Sequence, residues 1–222
     1  MNFKVLKSLL DKKGRLEHGL FILEGEKVIR ENLDRVKQIY VREDKSVFFP
    51  LEVITLSPSK FNEISSLDNP SGVLGVFKIE RNKLQGKTLV LDRIQDPGNM
   101  GTILRTAVAF GWTKIITLDC VDVYSPKVLR AVSGQIFKLD IQDLCIGELS
   151  GLNLNLIVAD CKGNQMSYIK DESCALVLGN EGSGVRPEIQ KIAKSKVTIP
   201  MENDTESLNV AIAGGILMWY YR

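Results

Sequence analysis

The chain has little from which to build a metal centre. Its 222 residues include one histidine, His18, and four cysteines, Cys120, Cys145, Cys161 and Cys174, spaced too widely for a CxxC pair. A CxxC metal or dithiol redox site is therefore excluded. Each cysteine lies in or beside an apolar run, which predicts buried thiols in a reducing compartment. Long hydrophobic runs are missing too, since no segment approaches the ~20 apolar residues of a membrane-spanning helix. The opening MNFKVLKSLLDKKGR has neither the apolar core nor the small-residue cleavage site of a secretory signal. A cytoplasmic protein without membrane contact is the expectation. No charge dominates: 29 basic and 27 acidic residues leave a net +2. That balance does not announce a nucleic-acid binder, although a local basic face can still hold a phosphate backbone. With 44% apolar and 25% charged residues, and no repeat or low-complexity tract, the chain reads as one globular domain or two small ones.

Hydrophobic periodicity divides it into two parts. Residues 3–12 read as a short basic amphipathic helix broken near Gly14, followed by a strand over 21–25 and a helix over 26–33. Strands follow at 36–41, 51–56 and 73–79, with a helix over 59–67 opened by Ser57-Pro58. These make a small α/β domain, residues 1–79. The stretch 80–87 is rich in charge and carries no apolar period, as a domain boundary does. Residues 80–222 then alternate more regularly. Strands fall at 88–91, 114–118, 154–159, 174–178 and 196–199; helices run from Met100 to a stop at Gly111, from Ser125-Pro126 to near Gly134, and over 207–221. Strands this apolar, separated by helices, predict a mostly parallel sheet covered on both faces. Ligands in such a sheet bind beyond the carboxyl ends of the strands.

Three short segments fall at such strand exits. In Asn99-Met-Gly-Thr-Ile-Leu-Arg105, Asn99 is placed to cap the helix starting at Met100. Arg105 departs from the apolar stripe, so its guanidinium can face the crevice and grip a phosphate through two parallel hydrogen bonds. A solvated arginine on a surface helix is the plain structural alternative. Gly179-Asn-Glu-Gly-Ser-Gly184 lacks both the GxGxxG order and the GK[ST] ending of nucleotide loops. Its three glycines suggest a sharply folded loop meeting a flat ligand edge, with Glu181 accepting a hydrogen bond or holding an arginine; a tight turn with an exposed glutamate is the alternative. Ile199-Pro-Met-Glu-Asn-Asp-Thr-Glu-Ser-Leu-Asn209 puts Ser207 and Asn209 at the start of the last helix, to cap it or to orient a hydroxyl substrate. Glu202, Asp204 and Glu206 precede that helix, where its dipole favours negative charge and where they also suit a cationic cofactor.

Together and in this order, the segments resemble the motifs of the SpoU/TrmH family of RNA ribose methyltransferases, within the SPOUT superfamily. Motif one, N-x-G-x-x-x-R, corresponds to Asn99, Gly101 and Arg105; motif two to VLGNEGSGV, with Glu181 and Gly184; motif three to IPMENDTESLNVAIA, with Ser207, Leu208 and Asn209. FILEGEKVIRENL and VLGVF resemble the small ribosomal-protein-like substrate-binding domain that often precedes such a catalytic domain, so the likeness covers nearly the whole chain. Two departures stand out. Ala211 replaces a common Ser, removing a secondary hydrogen bond, and Glu202-Asn203-Asp204 stands where many members carry Gly, altering loop shape or substrate preference.

The resemblance implies an S-adenosylmethionine-dependent methyltransferase with a trefoil-knotted, mostly parallel sheet. It also implies a homodimer whose active site borrows from both subunits, acting on structured RNA, ribosomal rather than transfer RNA, and not on DNA. The implied cofactor-binding residues are Asp160, Cys161, Lys162 and Gly163; Leu178, Gly179, Asn180, Glu181 and Gly184; and Ile199, Pro200, Met201 and Leu208. The implied catalytic set is Asn99, Arg105, Glu181, Ser207 and Asn209. Arg105 contacts the target phosphate and helps make the 2′-hydroxyl nucleophilic, Asn99 and Glu181 position Arg105 or the loops, and Ser207 with Asn209 orients the ribose. Arginine is a poor free base, its pKa lying above about 12, so phosphate-assisted deprotonation serves equally well. Lys12, Lys13, Arg15 and Arg30 are the N-terminal candidates for RNA contact. Transfer-RNA methylation, methylation of a base nitrogen, and a noncatalytic RNA-binding or ribosome-assembly module are the alternatives.

Overall fold

Short apolar runs punctuated by Gly, Pro and charged residues set the order of the elements. α1 (Phe3–Ser8), α2 (Lys12–His18), β1 (Leu20–Glu24), α3 (Glu26–Arg30), β2 (Val36–Arg42), β3 (Val53–Leu56), α4 (Pro58–Asn62) and β4 (Val73–Lys78) come first. β5 (Thr88–Asp92), α5 (Pro97–Ala109), β6 (Lys114–Leu118), α6 (Pro126–Val132), a 3-10 turn (Gln135–Lys138), β7 (Asp140–Asp143) and α7 (Ile146–Gly151) follow. β8 (Asn155–Gln165), β9 (Cys174–Leu178), α8 (Pro187–Ile192), β10 (Ser195–Thr198) and α9 (Val210–Tyr220) complete the chain. This computed structural model describes residues 1–80, 86–165, 174–203 and 205–222; Asp204, expected to place charge before the last helix, lies outside them. The chain divides into two compact units, Met1–Glu80 with Tyr124–Gly134, and Arg81–Val123 with Gln135–Arg222.

The first unit holds a four-stranded sheet in the order β1-β4-β2-β3, with β4 antiparallel to both neighbours and β2 parallel to β3. Leu6, Leu9, Tyr40, Phe61, Ile64 and Leu74 are buried together against it. The helix expected over 3–12 ends at Ser8, and a second, α2, begins at Lys12. Arg15, only 4% exposed, donates 2.7 Å hydrogen bonds to the carbonyls of Leu9 and Leu10, just past the end of α1. It thereby satisfies carbonyls that a terminating helix leaves without partners, and so fixes the break. Gly14 does not end a helix but lies within α2, where a Cβ would stand 2.1 Å from the Ser8 carbonyl oxygen. Arg15 is thus a structural cap rather than an RNA contact. Arg30 is engaged as well, by Glu26 and by the Phe48 carbonyl, whereas Lys12 and Lys13 are exposed.

The second unit is built on a six-stranded, all-parallel sheet in the order β10-β8-β9-β5-β6-β7. Its central strand β5, Thr-Leu-Val-Leu-Asp, is buried at every position, as expected for a parallel strand covered on both faces. Met100, Ile103, Leu104 and Ala107 of α5 recur at helical spacing and are buried. Trp112 follows α5 and donates its indole N–H to the Met218 carbonyl at 3.0 Å, tying that end of the helix to α9. β7, α7 and α8 are additions to the elements expected from sequence. β7 is a polar Asp-Ile-Gln-Asp, and the two helices have six residues each, too few to show a period. The expectation of four buried thiols needs correction: all are free, Cys120 and Cys174 are half-buried, and Cys145 and Cys161 are exposed. Cys145 occupies the N-cap of α7, where its N–H meets Glu148 at 2.8 Å, which takes it out of the neighbouring apolar run.

Replacing Arg15 by Ala should lower stability by about 1.5–3 kcal/mol, the range for hydrogen bonds made by a charged group. Lys12→Ala, at an exposed position, should stay within about 0.5 kcal/mol. Urea denaturation of both variants checks this, and an Arg15→Ala midpoint equal to that of Lys12→Ala would remove Arg15 from its capping role.

Candidate active site

β5 and β9 are parallel neighbours, so the loops leaving Asp92 and Leu178 start side by side at one edge of the sheet. After β5 the chain enters α5 at Pro97, three residues earlier than the sequence predicts. Asp96 is the N-cap: its Oδ1 accepts the Asn99 N–H at 2.7 Å, and Pro97 fills the first position, where a missing N–H costs nothing. Asn99, expected to cap this helix, therefore lies in its first turn with its carboxamide free for other partners. Its Nδ2 donates to Glu181 at 3.1 Å, and its Oδ1 accepts from Asn209 Nδ2 at 3.0 Å. Three segments distant in sequence meet at this one side chain.

Glu181 stands on a loop that doubles back tightly. Asn180 and Gly184 exchange two backbone hydrogen bonds, and Asn180 Oδ1 accepts from the N–H groups of Gly182 and Ser183. Only glycine fits at position 179, because a Cβ there would lie 2.3 Å from Gly184 C and Val185 N. The Glu181 carboxylate accepts from Asn99 Nδ2, from the N–H groups of Asp96 (3.3 Å) and Gln95 (3.5 Å), and from Asn180 Nδ2 (3.4 Å). Desolvation pushes its pKa up, but the hydrogen bonds, led by that of Asn99, outweigh it and hold the carboxyl below the usual glutamate value.

The third segment reaches the site as an extended run before α9. Asn209 caps that helix, its Oδ1 accepting the N–H groups of Ala211 (2.9 Å) and Ile212 (3.4 Å). Ser207 is not at the helix start, as expected, but two residues ahead of the cap and exposed. The helix begins later because Asn209 makes the capping bonds and leaves Ser207 none to make.

A cavity of about 420 Å³ lies beside these groups. Asp160, Cys161, Leu178, Gly179, Asn180, Glu181, Gly184, Ile199, Met201, Ser207, Leu208 and Asn209 all line it. The strand pairing explains how β8 contributes. Between the consecutive residues Lys196 and Val197 of β10, the partner on β8 jumps from Val158 to Asn164. The intervening residues loop out of the ladder, and Ala159, Asp160 and Cys161 turn to the cavity. The Lys162 N–H at 2.9 Å, together with Lys196 at 3.1 Å, holds the Asp160 carboxyl below its ordinary pKa against the cost of burial. Lys162 and Pro200 do not line the cavity; Lys162 and Gly163 belong to β8, and Pro200 is exposed just past β10.

Arg105 stands apart. It is exposed on α5, outside the cavity lining, six residues beyond Asn99 and so on a different face of the helix. One chain thus joins Asn99, Glu181 and Asn209 by hydrogen bonds with Ser207 in the adjoining cavity lining, whereas Arg105, outside that lining as Asn99 is, has no part in the series. Sequence reasoning missed Thr198, Ala213 and Leu217, which also line the cavity. Their spacing is that of an ordinary strand and helix core, and nothing in it marks a ligand.

Residues 86–219 match the SpoU rRNA Methylase family, and residues 2–75 match the MRM3-like substrate binding domain. The chain belongs to the SpoU rRNA methylase family. It is 31% identical to the 23S rRNA (guanosine(2553)-2′-O)-methyltransferase RlmP of Bacillus subtilis, over 97% of this chain and 94% of the relative. A TrmH-family structure from Porphyromonas gingivalis superposes with a TM-score of 0.86 at 32% identity, over 99% of this chain and 96% of the other. The AdoMet-bound rRNA methyltransferase from Sinorhizobium meliloti does so with a TM-score of 0.83 at 28% identity, over 98% and 92%.

The lowered pKa of Glu181 carries a pH signature. The stability it contributes is fully present above the unfolded value of about 4.3 and is lost as pH falls through the lower folded value. Glu181→Gln should therefore be less stable than wild type at neutral pH, with the difference shrinking on acidification below about pH 4. Thermal unfolding across pH checks this; a difference that stays constant with pH would mean the carboxylate charge is not what holds the loop.

Proposed function

We propose that this chain transfers a methyl group from S-adenosylmethionine to a ribose 2′-hydroxyl of ribosomal RNA. The observation that carries the reading is the hydrogen-bonded series Asn209–Asn99–Glu181, which joins all three motif segments beside the 420 Å³ cavity. The name of the Bacillus subtilis relative supports ribosomal RNA and the 2′-oxygen, and the AdoMet in the Sinorhizobium meliloti structure supports the cofactor. The residues present fit that cofactor. The cavity has the volume of a small-molecule site, and its lining joins apolar Leu178, Ile199, Leu208 and Leu217 to a glycine-rich backbone and the Asp160 carboxylate.

When bound, the sulfonium supplies an activated methyl group and a neutral leaving group. What remains for the protein is alignment of the attacking oxygen and assistance in losing its proton. Ser207 and Asn209 orient the ribose, while Asn99 and Glu181 hold the strand-exit loops in register. Arg105 pairs with the RNA phosphate, and we assign it to the cavity of a second copy in a homodimer. Two features support this. Arg105 is exposed on α5, and the adjoining α9 presents Ile212 (58% exposed), half-buried Ile216 and Trp219 (52% exposed) along one face. An apolar stripe of this kind is what a symmetric partner covers.

A trefoil knot in the C-terminal part belongs to the same proposal. Beyond β8, β10 forms the sheet edge, yet α9 packs on α5 and β9, so the chain turns back across the sheet after β10. The match over residues 2–75 supports RNA binding by the N-terminal domain, residues 1–79, with methyl transfer by residues 80–222. The free thiols support a reducing, cytoplasmic setting.

Incubating the protein with ribosomal RNA and methyl-labelled S-adenosylmethionine should place label in a nuclease-resistant 2′-O-methyl dinucleotide. Label on a base, on transfer RNA only, or nowhere would overturn the corresponding part of the reading. Arg105→Ala and Asn209→Ala should each lose most of the activity. Mixed and re-associated, they should recover about a quarter of it, because half the dimers are mixed and each carries one intact site. No recovery would return Arg105 to its own chain's site.

A further inference from the structure

Outside the cavity lining, two carboxylates and one guanidinium tie the exits of β5 and β6 to the end of the Gly179–Gly184 loop. Asp92, the last residue of β5, is wholly buried and accepts two hydrogen bonds from Arg186, one from the backbone N–H at 2.8 Å and one from Nε at 2.6 Å. Arg186 extends its Nη1 to Asp119 Oδ2 at 2.7 Å, just past β6. Arg186 lies two residues after Gly184, so the loop that carries Glu181 is anchored where it ends. A second set of bonds runs alongside. Arg93 donates to Ser183 Oγ (3.1 Å) and the Gly184 carbonyl (3.4 Å), and its own carbonyl accepts from Asn180 Nδ2 at 2.9 Å. Gln95 Nε2 donates to the Asp119 carbonyl at 2.7 Å.

Arg93 and Asp119 both adopt left-handed backbone, with φ of 56° and 53°. Non-glycine residues rarely do so, and such strain persists only where the surroundings over-determine it. Here the strained residues are the ones that turn each strand end toward Arg186 and the loop. The buried Asp92 carboxylate would be costly without a cation, and Arg186 supplies it in a fork that a lysine cannot reproduce.

We infer that Arg186 is a positioning residue for methyl transfer. By bridging Asp92 and Asp119 it sets the Gly179–Gly184 loop so that Glu181 reaches Asn99 and the N–H groups of Gln95 and Asp96. The inference rests on the methyltransferase reading above, and it gives function to three residues that touch neither the cavity nor the Asn209–Asn99–Glu181 series.

Arg186→Lys tests it while keeping a cation beside Asp92. Asp119→Gly tests it independently, because glycine accepts the left-handed backbone and the lost carboxylate is 72% exposed, so no charge is stranded. Asp119→Gly should melt close to wild type, and Arg186→Lys, which loses the fork on buried Asp92, should melt lower but still fold. Arg186→Lys should lower kcat by about 10- to 100-fold, as small misplacements of aligned groups do. Asp119→Gly should lower it in the same direction, KM for S-adenosylmethionine should change less than kcat in both, and crystal structures should show Glu181 drawn out of hydrogen-bond reach of Asn99. Unchanged kcat in both, or loss only in proportion to the unfolded fraction with the Glu181–Asn99 bond retained, would overturn the inference. If Arg186→Lys does not fold, Asp119→Gly decides by the same criteria. A wild-type protein that methylates no RNA would refute the function instead, and the Glu181–Asn99 distance in the variant structures would then decide this inference alone.

Discussion

Asn99 can face its neighbours in only one way. Glu181 is an acceptor, held ionised by the donors around it, and so demands the NH2 group of the carboxamide. Asn209 has committed its own oxygen to the N-terminus of α9 and can offer only NH2 in return. The Asn99 oxygen must therefore turn toward Asn209. A flipped carboxamide would set donor against donor at one end and acceptor against acceptor at the other. A charge at one end of the series and a helix terminus at the other thus fix the direction of every amide between them.

That arrangement depends on the sheet beneath it. β5 and β9 are adjacent only because β9 inserts between β8 and β5, after the chain has already built β6 and β7 on the other side. The loops bearing Asn99 and Glu181 therefore leave neighbouring strands, while the β8 segment 159–161 is freed from the ladder by the jump in its pairing with β10. Parallel strands direct all these exits to one edge. A small cluster of side chains can serve as a site there because the strand underneath, β5, is buried at every position and leaves little room to shift.

Much of this was legible in the sequence, for physical reasons. Apolar strands such as Thr88–Asp92 and the stripe Met100, Ile103, Leu104 and Ala107 announce a covered parallel sheet, and the three motif segments mark its working edge. The errors have causes of the same kind. Asn99 and Ser207 both suit caps by residue type, but Asp96 with Pro97 is a better start for α5, and Asn209 already serves α9. Arg15 reads as one more basic residue of a charged terminus, since nothing local shows that two carbonyls of the preceding turn will enclose it. Asp92, Asp119 and Arg186 carry no local signal for a similar reason, because their link spans 94 and 67 residues and leaves no periodic trace.

The site's chemistry follows from how fully its charges are engaged. Glu181 receives hydrogen bonds from Asn99, Asn180, Gln95 and Asp96, so its oxygens are occupied in holding loops and its lowered pKa makes it a weak base. Asp160 is likewise held by the Lys162 N–H and Lys196. Neither is placed to draw a proton from a ribose hydroxyl. Such a site suits a reaction whose leaving group is already neutral, where most of the barrier is met by fixing an oxygen in line with the methyl carbon. In the proposed mechanism, what proton transfer remains falls to the RNA phosphate, with a guanidinium balancing its charge. Arg105 is the conspicuous candidate in the motif segments, and it lies outside its own chain's cavity. In the proposed homodimer, alignment is complete within one chain while the guanidinium that assists the nucleophile comes from the second, so the two tasks fall to different subunits.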